Sequence, residues 1–105
     1  MKKISILALA LLIAAPSAFA GGGADGAALY KSKCAMCHGP DGAGQTSMGK
    51  TLKLRNLGSA DVQKQTDAEL GKWIADGKGK MPAYKSKLSA EEINALVAFI
   101  RTLKK

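Results

Sequence analysis

The sequence predicts a small all-α domain, and three observations predict it. Ile93, Leu96, Val97, Ile100 and Leu103 recur at helical spacing and form one apolar face. Two Ser/Thr-x-x-Glu capping boxes, Thr66 with Glu69 and Ser89 with Glu92, mark helix starts. No stretch alternates apolar and polar residues around a hairpin turn signal, and no internal repeat appears.

The elements follow in chain order. Residues 1–20 read as a cleaved secretory signal peptide: Lys2 and Lys3 are the positive start, Ile4 to Ala15 the apolar stretch, and Ala18-Phe19-Ala20 the small-x-small cleavage signal. An apolar run of about a dozen residues is too short for a bilayer that needs about 20, so no stable membrane insertion is expected after processing. The remaining domain, residues 21–105, carries 14 basic against 8 acidic residues, a formal charge of +6. Only 34 of its 85 residues are apolar, 12 of them alanines, and all 12 glycines of the chain fall in it. A chain of this size draws only about 3–5 kcal/mol from one core, so a staple, a metal or a large cofactor is expected to complete the interior. The length excludes a multidomain enzyme, and two cysteines three residues apart exclude a disulfide scaffold.

A first helix is expected from an Asp25 N-cap to about Lys33, with Gly26 one turn before Tyr30. Residues 39–58, rich in Gly, Ser, Thr and Lys, read as a loop, followed by a short helical turn near Ala60 to Gln65. The Thr66 box opens a helix through about Asp76, and Gly77 and Gly79 end it. Met81-Pro82 is then extended, because a residue before Pro is pushed out of the helical region. Ser89 opens the last helix, with Leu88 and Ile93 placed as a hydrophobic staple and Lys104 and Lys105 complementing its dipole.

Cys34-Ala35-Met36-Cys37-His38 contains both cysteines and the one histidine of the chain. C-x-x-C-H is the attachment signal of a c-type haem. Two thiols about one helical turn apart reach the two vinyl groups of one porphyrin and form thioethers, and the adjacent His turns an imidazole nitrogen to the iron. A thioredoxin-like site needs a βαβ context that is absent, and a structural zinc site needs four ligands where three candidates stand. With no second His, Met is the candidate for the remaining axial position. Met36 lies inside the attachment loop, and Met48, on a Gly-rich loop ten residues past His38, reads as core filler. Met81 stands behind a helix, with Gly77 and Gly79 permitting close approach and Pro82 stiffening the chain; it is the preferred ligand. Trp73 is expected against the porphyrin, with its indole N–H available to a propionate.

On these residues the sequence resembles a class I cytochrome c of the small bacterial monohaem type, c-551/c6/c-555-like, over essentially all of residues 21–105. The resemblance implies three to four helices wrapped around one covalent haem c, with iron held by His38 and Met81. It also implies a first helix crossing the last, with Gly26 and Tyr30 against Leu96 and Phe99. Members of the family usually carry a Pro after the haem motif whose carbonyl accepts from the ligand His. Pro40 follows His38 too closely, so a carbonyl from Ser47 to Gly49 is expected in that role.

The expected function is a soluble, monomeric periplasmic electron carrier rather than an enzyme. The alternative is a haem-based gas sensor or weak peroxidase with a labile distal Met. Basic charge without interleaved aromatics, on an exported protein, does not read as a nucleic-acid surface. Lys31, Lys33, Lys78, Lys80, Lys85 and Lys87 flank the segments bordering the haem edge and are expected to steer an acidic redox partner. Lys53, Lys64 and Lys72 are left as surface.

Overall fold

Side-chain oxygens decide where the chain becomes helical. In the computed structural model, which describes residues 24–105, six helices follow one another: α1 Gly26–Lys33, α2 Ala35–His38, α3 Ser47–Leu52, α4 Ala60–Gln63, α5 Asp67–Asp76 and α6 Ala90–Thr102. The signal peptide expected at residues 1–20 lies outside the described residues. Asp25 accepts from Ala28 N, Thr46 from Gly49 N and Ser59 from Val62 N, so α1, α3 and α4 each start on a capping oxygen. Both expected capping boxes are closed: the Glu69 and Glu92 carboxylates accept from the N–H of Thr66 and Ser89, each at 2.8 Å. Among the described residues the only β pairing is an isolated bridge between Lys78 and Met81.

Helices α1, α5 and α6 occupy the spans the sequence predicts, and α4 is the expected short turn. The count of three to four rises to six because α2 and α3 form inside segments without apolar periodicity. Helix α3 stands in the stretch read as loop. It is six residues long with a central glycine, too short to be stable by propensity, and packing holds it. Its Gly49 lies so close to the carbonyls of Cys37 and Gly44 that a Cβ there would clash with both. Lys53 ends the helix in the left-handed region, at φ 56°.

The core consists of Tyr30, Val62, Leu70, Ile74, Leu88, Leu96, Val97 and Ile100. Three of these come from the periodic face of α6, and Leu96 is completely buried, a change worth about 1.5–3 kcal/mol for such a side chain. Helix α1 crosses α6 with its backbone against that of Ala95: a Cβ on Gly26 would collide with the Ala95 carbonyl oxygen and lie 3.2 Å from Phe99 Cβ. One turn on, the Tyr30 and Phe99 rings pack with centroids 4.8 Å apart. The crossing implied by the resemblance is therefore present, with Ala95 as the backbone contact.

Arg101 closes the other end of α6. Its guanidinium donates to Asp67 Oδ1 at 2.8 and 3.0 Å, and to the carbonyls of Gln63 and Gln65 at 2.8 and 2.6 Å. These bonds satisfy carbonyls that the α4–α5 connection leaves without a helical donor. Sequence reasoning assigned Arg101 no role, since its partners lie 34–38 residues away.

Gly26→Ala is expected to lower stability by about 1–3 kcal/mol, because the crossing has no space for a methyl group and must separate. Thermal unfolding followed by circular dichroism checks this; an unchanged midpoint would show that α1 and α6 are not held at that contact.

Candidate haem site

The attachment motif sits at the end of α1, where Cys34 serves as C-cap of α1 and start of α2, and its side chain makes no capping bond. The two cysteines form no disulfide with each other. Burial, with a smaller contribution from the neighbouring Cys37, pushes the Cys34 thiol up to about 11. Two ties, one buried and one part-buried, set the geometry of the motif. The Tyr30 hydroxyl donates to the carbonyl of Gly39 at 2.6 Å, and Thr46 Oγ1 donates to the carbonyl of Cys37 at the same distance. Thr46 thereby joins the motif to α3, whose Gly49 N–H it also caps. Gly39 follows at φ 84°, a left-handed turn that ends α2 after His38.

Two adjoining cavities, of about 270 and 450 Å³, share Cys34, His38, Leu52, Leu54, Lys78 and Met81 in their walls. The smaller one is also bordered by Cys37, so both thiols, the imidazole and the Met81 thioether face one space. The larger one extends inward to Leu57, Val62, Leu70, Ile74 and Ile100, an apolar surface. Met81 is brought there by a tight reversal: Lys78 and Met81 exchange backbone bonds of 3.0 and 2.9 Å. Gly77, at φ 68°, lies so near the main chain of Pro82 and Ala83 that a Cβ would stand 2.7–2.8 Å from it. The two glycines singled out in the sequence thus permit the reversal, with Gly79 also left-handed at φ 59°.

The donor set fits a covalent haem: two thiols for thioethers, and a nitrogen and a soft sulfur for iron. His38 fits in a further respect. Burial holds its imidazole below the usual range, which keeps the ring in the neutral, ligating form. Its Nδ1 is sealed from solvent without a hydrogen-bond partner. The acceptor expected from Ser47 to Gly49 does not pair with it, because α3 draws these carbonyls into its own ladder; that of Gly49 accepts from Leu54 N.

Trp73, expected against the porphyrin, borders the larger cavity and is 41% exposed. Its Nε1–H donates to Gln65 Oε1 at 3.1 Å, so a side chain, not a group in the cavity, satisfies it here. Met48 is not core filler: it projects from α3 and is 46% exposed. Met36 is 80% exposed, directed outward by the helical geometry of α2. Sequence reasoning missed Leu52 and Leu54 as cavity walls because α3, which ends at Leu52 and sets where Leu54 follows, was not anticipated. It also missed Tyr84, which lines the smaller cavity together with Pro82.

Three of the six expected rim lysines, Lys33, Lys78 and Lys80, border the smaller cavity directly. Lys78 Nζ lies 5.0 Å over the Trp73 ring and Lys87 Nζ 5.7 Å over Tyr84. Lys85 stands 3.7 Å from Asp76, an exposed pair of little energetic weight. Lys53, expected as plain surface, borders the larger cavity together with Arg55.

Comparison with known proteins supplies the relationship. A family model described as cytochrome C oxidase, cbb3-type, subunit III, matches residues 21–100. Cytochrome c6 of Leptolyngbya boryana is 34% identical over 77 residues, which cover 73% of this chain and 87% of that protein. Cytochrome c6 of Picosynechococcus sp. is 32% identical over 109 residues, covering 95% and 92%. Among solved structures, the c-type cytochrome KustC0563 superposes with a TM-score of 0.73 at 38% identity, covering 78% of this chain and all of that one. Cytochrome c6C from Synechococcus sp. PCC 7002 gives 0.58 at 31% identity, covering 73% and 90%.

Tyr30→Phe removes one of the two donors to the buried Gly39 carbonyl, which also accepts from Gly42 N at 3.0 Å, and is expected to cost about 0.5–1.5 kcal/mol. Urea unfolding of the haem-loaded protein measures it; a loss near zero would mean that the tie does not hold the motif.

Proposed function

The chain belongs to the class I monohaem cytochromes c and carries a covalently bound haem c with iron; on that premise we propose that it shuttles single electrons between periplasmic redox partners, and that it is a carrier and not an enzyme. In this reading Cys34 and Cys37 hold the haem through thioethers, and His38 and Met81 ligate the iron. One fact carries it: those four side chains, from the attachment motif and from a segment 43 residues further on, border a single apolar cavity.

When bound, the haem supplies a one-electron change of oxidation state at its iron. The residues around it do the rest. Leu52, Leu54, Leu70 and Ile74 keep water from the site and lower its dielectric constant. Burial keeps the His38 ring neutral and able to donate its electron pair. Iron held by the His38 imidazole and the Met81 thioether would favour the reduced state and so have a raised potential. With His38 and Met81 both holding the iron, no position would be left on it for a substrate, which supports a carrier over a catalyst. Lys33, Lys78 and Lys80 border the smaller cavity and bring positive charge suited to a transient acidic partner. Periplasmic location rests on the leader read in residues 1–20. Among the described residues no helix is long and apolar enough to cross a membrane.

Met81→Ala is expected to convert the six-coordinate, low-spin spectrum to one that responds to carbon monoxide, with the haem still attached; an unchanged spectrum removes Met81 as ligand. Ready carbon monoxide binding by the unaltered protein would favour the gas-sensor or peroxidase reading instead. Electron exchange with an acidic redox protein is expected to slow severalfold as ionic strength rises through the range where the Debye length falls below about 10 Å. Stopped-flow kinetics checks this, and a rate indifferent to salt would count against the lysine rim.

A further inference from the structure

Tyr84 is the point at which the Met81 segment touches the attachment segment. Its N–H donates to the carbonyls of Ile74 and Ala75 at 3.0 and 3.1 Å, at the end of α5. Its own carbonyl accepts from Lys87 and Leu88 at 2.9 and 2.8 Å, so the main chain is anchored on both sides. From that fixed base the phenol borders the cavity beside Cys34, Cys37 and Met81. Its hydroxyl donates to the carbonyl of Lys33, one residue before Cys34, at 3.3 Å. Among the described residues, no other hydrogen bond joins residues 77–88 to residues 24–66. The rest of the Met81 segment is held by its own bridge and by the end of α5.

We propose that the Tyr84 hydroxyl is a latch: its bond to the Lys33 carbonyl holds the Met81 segment against the attachment segment and sets how readily an external ligand displaces Met81. The proposal rests on Met81 as the distal ligand. Tyr84 is a positioning residue, acting through Met81. The ring and the bond have separable roles. A phenylalanine keeps the apolar wall and the face on which Lys87 lies, and removes only the donor. An external ligand binds the open form alone, so its apparent affinity scales with the fraction of molecules that are open. One net hydrogen bond therefore corresponds to a change of about three- to tenfold in that affinity.

The test titrates the oxidised, haem-loaded protein with imidazole and reads the spectrum. Tyr84→Phe is expected to bind imidazole about three- to tenfold more tightly than the unaltered protein. Met81→Ala is expected to bind it more tightly still, and to gain nothing further when Tyr84→Phe is added, because the latch acts through Met81. Val97→Ala, a buried change on α6 away from the cavity, is expected to lower the unfolding midpoint while leaving the imidazole affinity within about twofold. If Met81→Ala opens the site and Tyr84→Phe does not, the latch is overturned and the ligation stands. Equal tightening by Tyr84→Phe and Val97→Ala also overturns it, as a general loss of stability. If Met81→Ala leaves the affinity unchanged, the ligation fails and the latch fails with it.

Discussion

The molecule is organised around a contact in which two helix backbones touch. Gly26 of α1 lies against the carbonyl of Ala95 in α6, at a separation no side chain could occupy. That closeness places Tyr30, one turn later, against Phe99, with its hydroxyl within reach of Gly39. The attachment motif starts where α1 ends, so its position is inherited from the crossing. A wider approach of α1 and α6 would shift Cys34 and His38 relative to the cavity walls that α5 and α6 supply.

Beyond the crossing, the chain is held by side chains that donate to main-chain carbonyls. Tyr30 ties Gly39, Thr46 ties Cys37, Tyr84 ties Lys33, and Arg101 ties Gln63 and Gln65. Each bond is modest alone, about 0.5–1.5 kcal/mol net. Together they pin segments that have neither a sheet ladder nor a long helix to fix them, and three of the four border the attachment motif or the Met81 segment. With eight buried apolar side chains among the described residues, the domain has little core with which to position loops. Polar ties carry out that task here, and they place the functional side chains at the cavity.

Much of this was legible in the chain itself. Capping boxes, the α6 periodicity and the glycines after α5 are local signals, and each element they mark is present. The attachment motif is a contiguous pattern in the sequence, and soft and nitrogen donors are so few that Met81, which lines the same cavity, stood out beside it. Helix α3 was not readable, because its stability comes from Gly49 packing on carbonyls elsewhere rather than from its own six residues. Met48 was misjudged for the same reason: a methionine on an unforeseen helix points outward. The indole of Trp73 found its acceptor in Gln65, a partner eight residues away that composition does not reveal.

The sequence by itself determined the helical class, the helix starts and the chemistry of the donor set, because these depend on residue type and short-range spacing. Tertiary structure decided which side chains meet: Gly26 with Ala95, Met81 with the space beside His38, and Tyr84 with Lys33. It also decided that the carbonyls of α3 bond within the helix and leave His38 Nδ1 alone. The division has one physical cause. Caps and periodicity are satisfied within a turn or two of chain. Close approach, burial and carbonyl pairing are shared between segments up to about seventy residues apart, and exist only once those segments have packed.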